Sequence, residues 1–259
     1  MEALGDATLL ARVEDAGINA SAPPEQLWVD GWLVRFSPGK AKRARCIQAV
    51  APGRLPVADK LARCLPVYAA AGLRPYVRIT PFSEPPGLDV DLERLGWERV
   101  DDTRVMVSPA WPAPEPLPDG FHLDPVEGHG FAAWIAAARG SSAAEEGAHA
   151  RRLAASPVPY RALLLRDRMG RAVAGGQVAI EGGMAGLYDV FSLEDQRGRG
   201  LARLLCAALL ELARRSGATT AYLQVDAGNE VARRVYRRLS FVDAYAYHYR
   251  APSAEGAAA

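Results

Sequence analysis

The most constraining feature of the sequence is a glycine-rich turn joined directly to an amphipathic helix, in DQRGRGLARLLCAALLELARRSG at residues 195–217. Apolar residues recur at helical spacing behind the turn, which predicts a helix that begins near Gly200 and buries one face. Gly198 and Gly200 carry no Cβ, so the backbone there can approach a ligand closely. Because the first N–H groups of a helix lack internal partners, the turn is suited to a phosphate or pyrophosphate. An ordinary loop before a core helix is the alternative interpretation.

The segments around this turn predict an alternation of strands and helices. Residues 184–193 predict a buried strand that enters the turn, and Gly217 ends the helix before another strand at 218–226. The other predicted elements are a helix in GNEVARRVYRRLSF, a last strand in VDAYAYHYR, a first strand in FHLDPV, two Ala-rich helices near residues 127–155, and a strand pair in YRALLLRD and RAVAGGQVAIE. The fold class is therefore α/β, or α+β.

Two sequence motifs resemble those of the GCN5-related N-acetyltransferases. RGRGLA, from Arg197 to Ala202, is similar to that family's Arg/Gln-x-x-Gly-x-Gly/Ala signature. NEVARRVYRRLSF is similar to its second signature, with Asn229, Ala232, Tyr236 and Phe241 in register; the glycine usual before the phenylalanine is replaced by Ser240. The resemblance implies a mixed central sheet flanked by helices, and acetyl-coenzyme A as the co-substrate.

The resemblance also implies roles for particular residues. The strand before the turn should separate from its neighbour and offer the backbone N–H groups of Val190, Phe191 and Ser192 to pantetheine and the acetyl carbonyl. Asn229 would hold the pantetheine arm, and Tyr236 would protonate the leaving sulfur. The phosphate cradle would consist of Arg197, Gly198, Arg199, Gly200, Leu201, Ala202 and Arg203.

The catalytic base is less well specified by the sequence. Asp189, on the strand before the turn, is the first candidate because it alternates with neighbours of the opposite face. Deprotonation through ordered water without a single base is the alternative. Glu194, Asp195, Asp226 and His248 are weaker candidates, each better explained by a structural role.

Composition limits the remaining classes. A net charge of +1 gives no general attraction to nucleic acid or to a membrane surface, and no apolar run approaches the roughly 20 residues of a membrane span. The start MEALGDATLL lacks the pattern of a signal peptide. Cys46, Cys64 and Cys206 are scattered without metal-ligand spacing, so we expect reduced packing residues, a cytoplasmic location and no metal.

A proline-rich segment divides the predicted domains. SPAWPAPEPLPDG, residues 108–120, predicts an extended, semi-rigid linker. Residues 121–250 then form the catalytic domain, residues 1–107 a separate domain, and residues 251–259 a disordered tail. The polar stretch at residues 138–152 is interpreted either as a substrate lid or as a solvated loop between helices.

The first domain echoes the second. A strand, a helix and a strand are predicted in GLRPYVRIT, LERLGW and ERVDDTRVMV. The same order occurs about 145 residues later in GATTAYLQV, RRVYRRLSF and VDAYAYHYR, which indicates a tandem fold. Chance similarity between α/β patterns is the alternative. APGRLPVADK stands in place of the phosphate turn, and its two prolines remove N–H donors. We therefore predict a degenerate copy that does not bind coenzyme A. Its role would be to form one wall of the acceptor site, to dimerise or to bind a ligand of its own.

One basic segment of the first domain suggests nucleic-acid binding. In SPGKAKRARC four basic residues lie close together, between the predicted paired strands WVDGWLVRF and CIQAV. A solvated hairpin turn is favoured, because no set of stacking aromatic residues accompanies the segment. Trp28 and Trp32 are predicted to be core or interface residues.

These observations predict an N-acetyltransferase that moves an acetyl group from acetyl-coenzyme A to a primary amine by direct attack in a ternary complex. A small-molecule amine is favoured over a peptide, and a homodimer is allowed. A non-catalytic sensor of acyl-coenzyme A is the alternative. A P-loop nucleotide site is disfavoured, because RGRGLA lacks the Lys-Ser/Thr ending.

Overall fold

The computed structural model describes residues 6–253, whose contacts form two compact units. Within that range, unit 1 consists of residues 6–20 and 104–244, and unit 2 consists of residues 21–103 and 245–253. The chain therefore enters unit 1, builds most of unit 2, returns to unit 1 and ends in unit 2.

The helices and strands follow the chain in a mixed order. The helices are α1 (Ala7–Ala20), α2 (Val57–Ala70), α3 (Leu88–Arg94), α4 (Gly128–Arg139), α5 (Ala143–Ala154), α6 (Leu201–Arg215) and α7 (Glu230–Arg237). The strands are β1 (Gln26–Val29), β2 (Trp32–Arg35), β3 (Ile47–Gln48), β4 (Val77–Ile79), β5 (Trp97–Ser108), β6 (His122–Val126), β7 (Tyr160–Arg166), β8 (Ala172–Glu181), β9 (Met184–Ser192), β10 (Thr220–Asp226) and β11 (Val242–Pro252). Every element predicted for residues 121–226 is present.

Unit 1 is built on a mixed sheet with the strand order β5-β10-β9-β8-β7-β6. Strands β9 and β10 are parallel, whereas β6, β7, β8 and β9 are joined by antiparallel pairs. Leu163 and Leu165 of β7 join the core beneath α6, while Ala162 and Leu164 join Ile135 of α4. Because neighbouring residues of a strand point to opposite faces, α6 covers one face of the sheet and α4 covers the other.

Helix α1 belongs to unit 1 although it lies at the other end of the chain. The Arg12 guanidinium donates to the Gly182 carbonyl at 3.0 Å, and the Tyr160 hydroxyl donates to the Ala20 carbonyl at 2.6 Å. At Gly17, a Cβ would lie 2.9 Å from a side-chain nitrogen of β10. A glycine therefore allows α1 to approach the sheet closely.

Unit 2 has its own sheet and core. Its strand order is β1-β2-β3-β4-β11-β5, with His248 of β11 opposite Ile79 of β4 in an antiparallel pair. Helices α2 and α3 pack on this sheet through a buried cluster. Its members include Trp32, Val34, Ile47, Leu61, Cys64, Tyr68, Val77, Leu88, Leu92 and Trp97.

The tandem echo is present as two series of helix, strand, helix and strand, α2-β4-α3-β5 and α6-β10-α7-β11. The last strands of the two series do not lie where the sequence order predicts. VDAYAYHYR was expected to close the C-terminal sheet, but β11 pairs with β4, and the strand beside β10 is β5. Consecutive strands are usually neighbours, which motivated the expectation. The two strands close equivalent series, so their patterns do not determine which sheet each one joins.

The predicted strand WVDGWLVRF is divided into two. Asp30 and Gly31 both have positive φ, 43° and 85°, and join β1 to β2 as a tight hairpin. Asp-Gly with positive φ at both central residues is typical of a type I′ turn. Trp32 is a core residue, whereas Trp28 on β1 is 65% exposed. Trp28 is therefore not in the core, and its place in an interface stays a prediction.

The proline-rich segment is extended but packs on unit 1. Trp111, Leu117 and Phe121 lie against the core beneath α6, and Glu115 pairs with Arg203 of that helix. The segment is therefore fixed to the sheet that it precedes and is not a free spacer.

At the C-terminus, Ala251 and Pro252 of the predicted tail continue β11, and residues 254–259 lie outside the described residues. None of the helices in the described part of the chain has the length and hydropathy that a bilayer span requires.

Candidate active site

Strands β9 and β10 separate at the point where the candidate site begins. Their parallel pairing runs from Met184 opposite Thr220 to Leu187 opposite Leu223 and then stops, although β9 continues to Ser192. The separation predicted for the strand before the turn is therefore present, and it leaves the last five residues of β9 without partners on β10.

A bulge in β9 marks the same point. The register of β8 against β9 shifts between Gly175 and Gln177, so that Gly176 faces two residues, Asp189 and Val190. Asp189 takes a φ of 52°, which is uncommon for a residue other than glycine. Such bulges redirect side chains near functional sites.

Ser192 provides a test of whether the opened strand could hold the pantetheine arm. Its hydroxyl oxygen is buried and makes no hydrogen bond within the described residues. A buried polar atom without a partner is costly, and a ligand group can satisfy it. The Phe191 side chain packs against the cluster around α4, so the end of β9 combines an apolar wall with an unsatisfied hydroxyl.

The glycine turn has the backbone geometry expected of an anion cradle. Gly198 and Gly200 have φ values of 78° and 75°, and a Cβ added at either would meet no atom within 4 Å. Gly200 is the N-cap of α6, and its carbonyl accepts from the N–H groups of Arg203 and Leu204. The N–H groups of Leu201 and Ala202, which come before Arg203, have no intrahelical partner, and this suits a phosphate.

Three arginines lie around the turn, and their side chains have different interaction partners. Arg197 and Arg199 lie within 6 Å of the rings of Phe191 and Phe121, respectively. The Arg203 guanidinium instead donates to the Glu115 carboxylate, with an Nη2–Oε2 distance of 2.6 Å. Arg197 also lies 3.7 Å from the Glu194 carboxylate, and Arg199 donates to the Gln196 side chain. Because Arg203 is held by both oxygens of Glu115, Arg197 and Arg199 are better placed to neutralise a phosphate.

Helix α7 presents the two residues of the second motif. The Asn229 side chain caps the helix by accepting from the Ala232 N–H at 3.1 Å. Tyr236 is half-buried, with its ring centroid 6.1 Å from that of Phe241. Burial raises the pKa of Tyr236 well above its usual value, so the phenol holds its proton through the neutral range.

A charged cluster surrounds the Asp189 carboxylate. Arg139 at the end of α4 donates to Oδ1 at 2.9 Å, Gln177 of β8 donates to Oδ2 at 3.2 Å, and His149 Nε2 of α5 lies 3.4 Å from Oδ2. Burial acts to raise the pKa of Asp189, but His149, Arg139 and Arg152 outweigh it and hold the pKa far below the usual range. Asp189 is thus a permanent anion and a weak proton acceptor near neutral pH.

Arg139 and His149 were missed as site residues because their segment was interpreted as a lid or a solvated loop. The segment contains only a short turn before α5, whose first residues form a capping box between Ser142 and Glu145. Ser-x-x-Glu is a recognised signal for a helix start, and it would have placed the start of the second predicted helix at residue 143.

The weaker base candidates have structural partners or lie exposed. Glu194 is exposed, Asp195 pairs with Arg171 at 2.8 Å, and Asp226 accepts from the backbone of the following turn. His248 lies in unit 2, where Nε2 is 2.8 Å from Asp89.

In unit 2 an internal carboxylate occupies the segment that corresponds to the phosphate turn. Asp30 accepts from the backbone N–H groups of Arg54 and Leu55, each at 2.8 Å, and pairs with the buried Lys60 ammonium at 3.4 Å. These N–H groups precede α2 as those of the glycine turn precede α6. The anion-binding positions of the first copy are therefore filled by the chain itself.

The basic segment of unit 2 connects the antiparallel strands β2 and β3 as predicted, but its basic side chains contact other residues of the unit and are not simply solvated. Lys42 pairs with Asp101, Arg43 donates to the Tyr247 hydroxyl at 3.4 Å, and Arg45 lies over the ring of Tyr76. A short 3-10 helix at Lys42–Ala44 holds these side chains against unit 2. The charged groups of Lys42, Arg43 and Arg45 thus interact with other side chains of unit 2.

Comparison with known proteins gives one family match over most of the chain and relatives that match a third of it. Residues 10–250 match the family described as probable histone acetyltransferase Rv0428c C-terminal. Mycothiol acetyltransferases from Clavibacter michiganensis subsp. michiganensis and Clavibacter sepedonicus are 38% and 37% identical over 86 residues. That match spans 33% of this chain and 28% of the length of each relative.

Solved structures share the fold at low sequence identity. A GCN5-related N-acetyltransferase from Kribbella flavida has a TM-score of 0.65 at 20% identity, covering 93% of this chain and 95% of that one. A tandem GNAT protein from the clavulanic acid biosynthesis pathway has a TM-score of 0.57 at 15% identity, covering 77% and 71%. The tandem architecture thus has a precedent among solved structures.

Proposed function

This chain belongs to the family described as probable histone acetyltransferase Rv0428c C-terminal, among the GCN5-related N-acetyltransferases, and from that premise we propose that it transfers an acetyl group from acetyl-coenzyme A to a primary amine. The observation that carries the proposal is the separation of β9 from β10 directly before an open glycine turn at the start of α6. This combination suits a long ligand with an acyl group at one end and a pyrophosphate at the other.

The residues for binding lie along β9, the turn and α7. The N–H groups of the α6 first turn, with Arg197 and Arg199, would hold the pyrophosphate, because the helix dipole and both guanidiniums favour an anion there. The Ser192 hydroxyl and the backbone of Val190 and Phe191 would hold the pantetheine arm. Asn229 already caps α7, so it could reach the arm only with its amide nitrogen.

The chemistry needs a neutral amine, a polarised carbonyl and a protonated leaving sulfur. When bound, acetyl-coenzyme A would supply an acyl thioester that an amine can attack. Tyr236 keeps its phenolic proton near neutrality and would give it to the sulfur. Burial would also raise the free energy of a bare coenzyme A thiolate, so a proton donor at this position would help the sulfur to leave.

Direct attack is favoured over a covalent acyl-enzyme. Cys46, Cys64 and Cys206 are buried free thiols. Burial raises the pKa of Cys64 to about 11 and that of Cys206 to about 12, and a protonated thiol is a poor nucleophile. The free thiols also favour a reducing compartment, and hence a cytoplasmic location.

The acceptor is proposed to be a small amine, with a peptide amine second. The curated relatives are named mycothiol acetyltransferases, which favours a small molecule, although the match spans 28% of their length. The first copy would bind no coenzyme A of its own, because Asp30 fills its anion-binding positions.

Calorimetric titration with acetyl-coenzyme A, followed by a thiol-release assay, tests the proposal. Ethanolamine, glucosamine and trialanine would represent small amines, sugar amines and peptides. One binding site and acceptor-dependent release are expected. Binding without release would favour a sensor of acyl-coenzyme A, and absence of binding would exclude both functions.

A further inference from the structure

An aspartate and a histidine form a pair at the bulge of β9, beside the proposed acetyl site. His149 Nε2 and Asp189 Oδ2 are 3.4 Å apart, and their side chains are 17% and 21% exposed. Asp189 is followed directly by Val190 and Phe191, which line the proposed pantetheine site. The pair is thus mostly shielded from water, and along β9 it adjoins the residues proposed to hold pantetheine.

We propose that His149 is the general base that deprotonates the acceptor amine, and that Asp189 is the positioning residue that orients its ring. The inference rests on the proposed function, since it assigns a further residue to the same reaction. His149 Nε2 is buried, makes no hydrogen bond within the described residues and lies 3.4 Å from Asp189 Oδ2. The charge of that carboxylate favours a proton on Nε2, which leaves the lone pair on Nδ1 to accept a proton from the amine.

The electrostatics favour the histidine over the aspartate as the base. Asp189 is held ionised by the surrounding cations and is a poor proton acceptor, whereas histidine as a class changes charge near neutrality. A fixed carboxylate beside the ring stabilises the imidazolium that forms when the base takes a proton. The other charged or titratable groups facing the pair are Arg139 of α4, Arg152 of α5 and Tyr160 of β7.

Arg139 connects the pair to the proposed acid. It contacts Asp189, and its guanidinium lies 5.5 Å from the centroid of the Phe191 ring. Burial raises the pKa of Tyr236, and the Arg139 charge acts in the opposite direction, so Arg139 is within electrostatic reach of the phenol. Arg139 therefore contacts the proposed positioning residue and acts electrostatically on the proposed acid.

The proton transfers balance. An ammonium acceptor loses one proton to His149, which later releases it to solvent. The neutral nitrogen then forms a bond to the acetyl carbon, and the carbon–sulfur bond breaks. Tyr236 gives its proton to the sulfur and is reprotonated by the second proton of the nitrogen. The net products are an amide, a free thiol and one proton in solution.

The pH profile of His149→Gln tests the base. With ethanolamine, whose ammonium titrates well above neutrality, the wild type should use the bound ammonium, so above pH 7 its kcat/KM should vary less with pH than that of the variant. In the variant the neutral amine must come from solution, so kcat/KM should fall about 100-fold at pH 7 and keep rising above pH 8. The control is His129→Gln on the neighbouring helix α4, which is exposed and should keep the wild-type profile.

Asp189→Asn tests the positioning role, because asparagine also tolerates a positive φ and keeps the bulge. Loss of the negative charge should lower kcat/KM at pH 7, because the imidazolium that forms would lose its counter-charge, with acetyl-coenzyme A affinity retained. Added imidazole should partly restore the rate of His149→Ala.

The outcomes separate this inference from the proposed function. If the wild type binds acetyl-coenzyme A and acetylates ethanolamine, and His149→Gln keeps the wild-type rate and profile, the inference is overturned and the proposed function stands. If the wild type releases no thiol with any of the three amines, both are overturned. A thermal melt and an acetyl-coenzyme A affinity equal to wild type would exclude misfolding of His149→Gln.

Discussion

At the scale of single residues, Ser240 occupies a backbone conformation that glycine adopts more easily. Its φ is 65°, and its counterpart in the first copy, Gly96, has a φ of 78°. Both residues follow the short helix before the last strand of a copy. The turn therefore requires the left-handed region, and the serine accepts strain to supply it.

Ser240→Gly should stabilise the protein by about 1 kcal/mol, because it removes the steric cost of a side chain in the left-handed region. Ser240 is exposed, so no packing is lost. Chemical denaturation would measure the change, and Ser240→Ala is the matched variant that keeps the strain. Equal stabilities of the glycine and alanine variants would contradict the strain.

Tyr236→Phe should reduce kcat about 100-fold, because it removes the proposed proton donor. The phenyl ring retains the edge contact with Phe241, so acetyl-coenzyme A affinity and the melting temperature should remain near wild type. Steady-state thiol release and calorimetry would check both. An unchanged kcat would remove Tyr236 from the reaction.

At the scale of elements, the glycine turn and helix α6 can be tested together. Gly200→Ala should weaken acetyl-coenzyme A binding at least tenfold, because the Cβ would enter the open space before the helix and strain the N-cap. Gly217→Ala, after the other end of α6, carries the same type of strain, with a φ of 89° and open space around it. Calorimetry should find wild-type affinity for this control. Equal weakening in both variants would indicate a general effect of strain.

The Asp30 cradle predicts a pH dependence of unit 2. Hydrogen bonds from the backbone of Leu55 and Arg54 lower the pKa of Asp30 in the folded protein. A carboxylate with a lowered folded pKa contributes stability above its unfolded pKa, about 3.9, and loses it as pH falls through the folded value. Asp30→Asn should therefore reduce stability at pH 7 and make it less dependent on pH below about 4.

Melting temperatures from pH 3 to pH 7 would measure this effect. The control is Asp119→Asn, which changes an exposed carboxylate in the proline-rich segment. If Asp30→Asn and Asp119→Asn gave parallel curves, Asp30 would have no special role in the acid range.

Much of the site could be predicted from local sequence. The glycine turn, the strand before it and the motif on α7 are contiguous segments whose residue types directly limit the backbone. The cluster of Arg139, Gln177 and His149 around Asp189 could not be predicted, because its members come from α4, β8, α5 and β9 and meet only after the sheet and helices pack. The same reason applies to Asp30, which reaches its backbone partners across 24 residues of chain.

At the scale of the molecule, the contact units do not coincide with segments of the chain. Unit 1 includes α1 and the end of β5, both of which precede the proline-rich segment. Hydrophobic patterning predicted most strands and helices, but it did not predict that α1 and the end of β5 belong to unit 1. A pattern of apolar residues indicates which face of an element is buried and does not indicate which strand lies beside it. The proline-rich segment at residues 108–120 marks a change in composition, whereas the contact units divide the chain after Ala20, Thr103 and Ala244.

A protein reduced to residues 121–250 should not fold as the full chain does. It would lack β5 beside β10 and α1 against β9, which leaves an unpaired sheet edge and removes the helix that lies next to Tyr222. Far-ultraviolet circular dichroism during heating should show a lower midpoint or a less cooperative transition than that of the full chain. A midpoint equal to that of the full chain would show that α1 and β5 contribute nothing to unit 1.

The passage of β11 into unit 2 has a consequence for the order of events on the ribosome. Most of unit 2 is synthesised early, but the position between β4 and β5 stays vacant until residues 245–252 emerge, after the whole of residues 104–244. At about 5–20 residues per second, the nascent chain exposes that gap for several seconds. Residues 21–103 can therefore pair with the wrong strand or bind a chaperone while residues 104–244 are made. We expect the yield of folded protein to depend on the speed of translation.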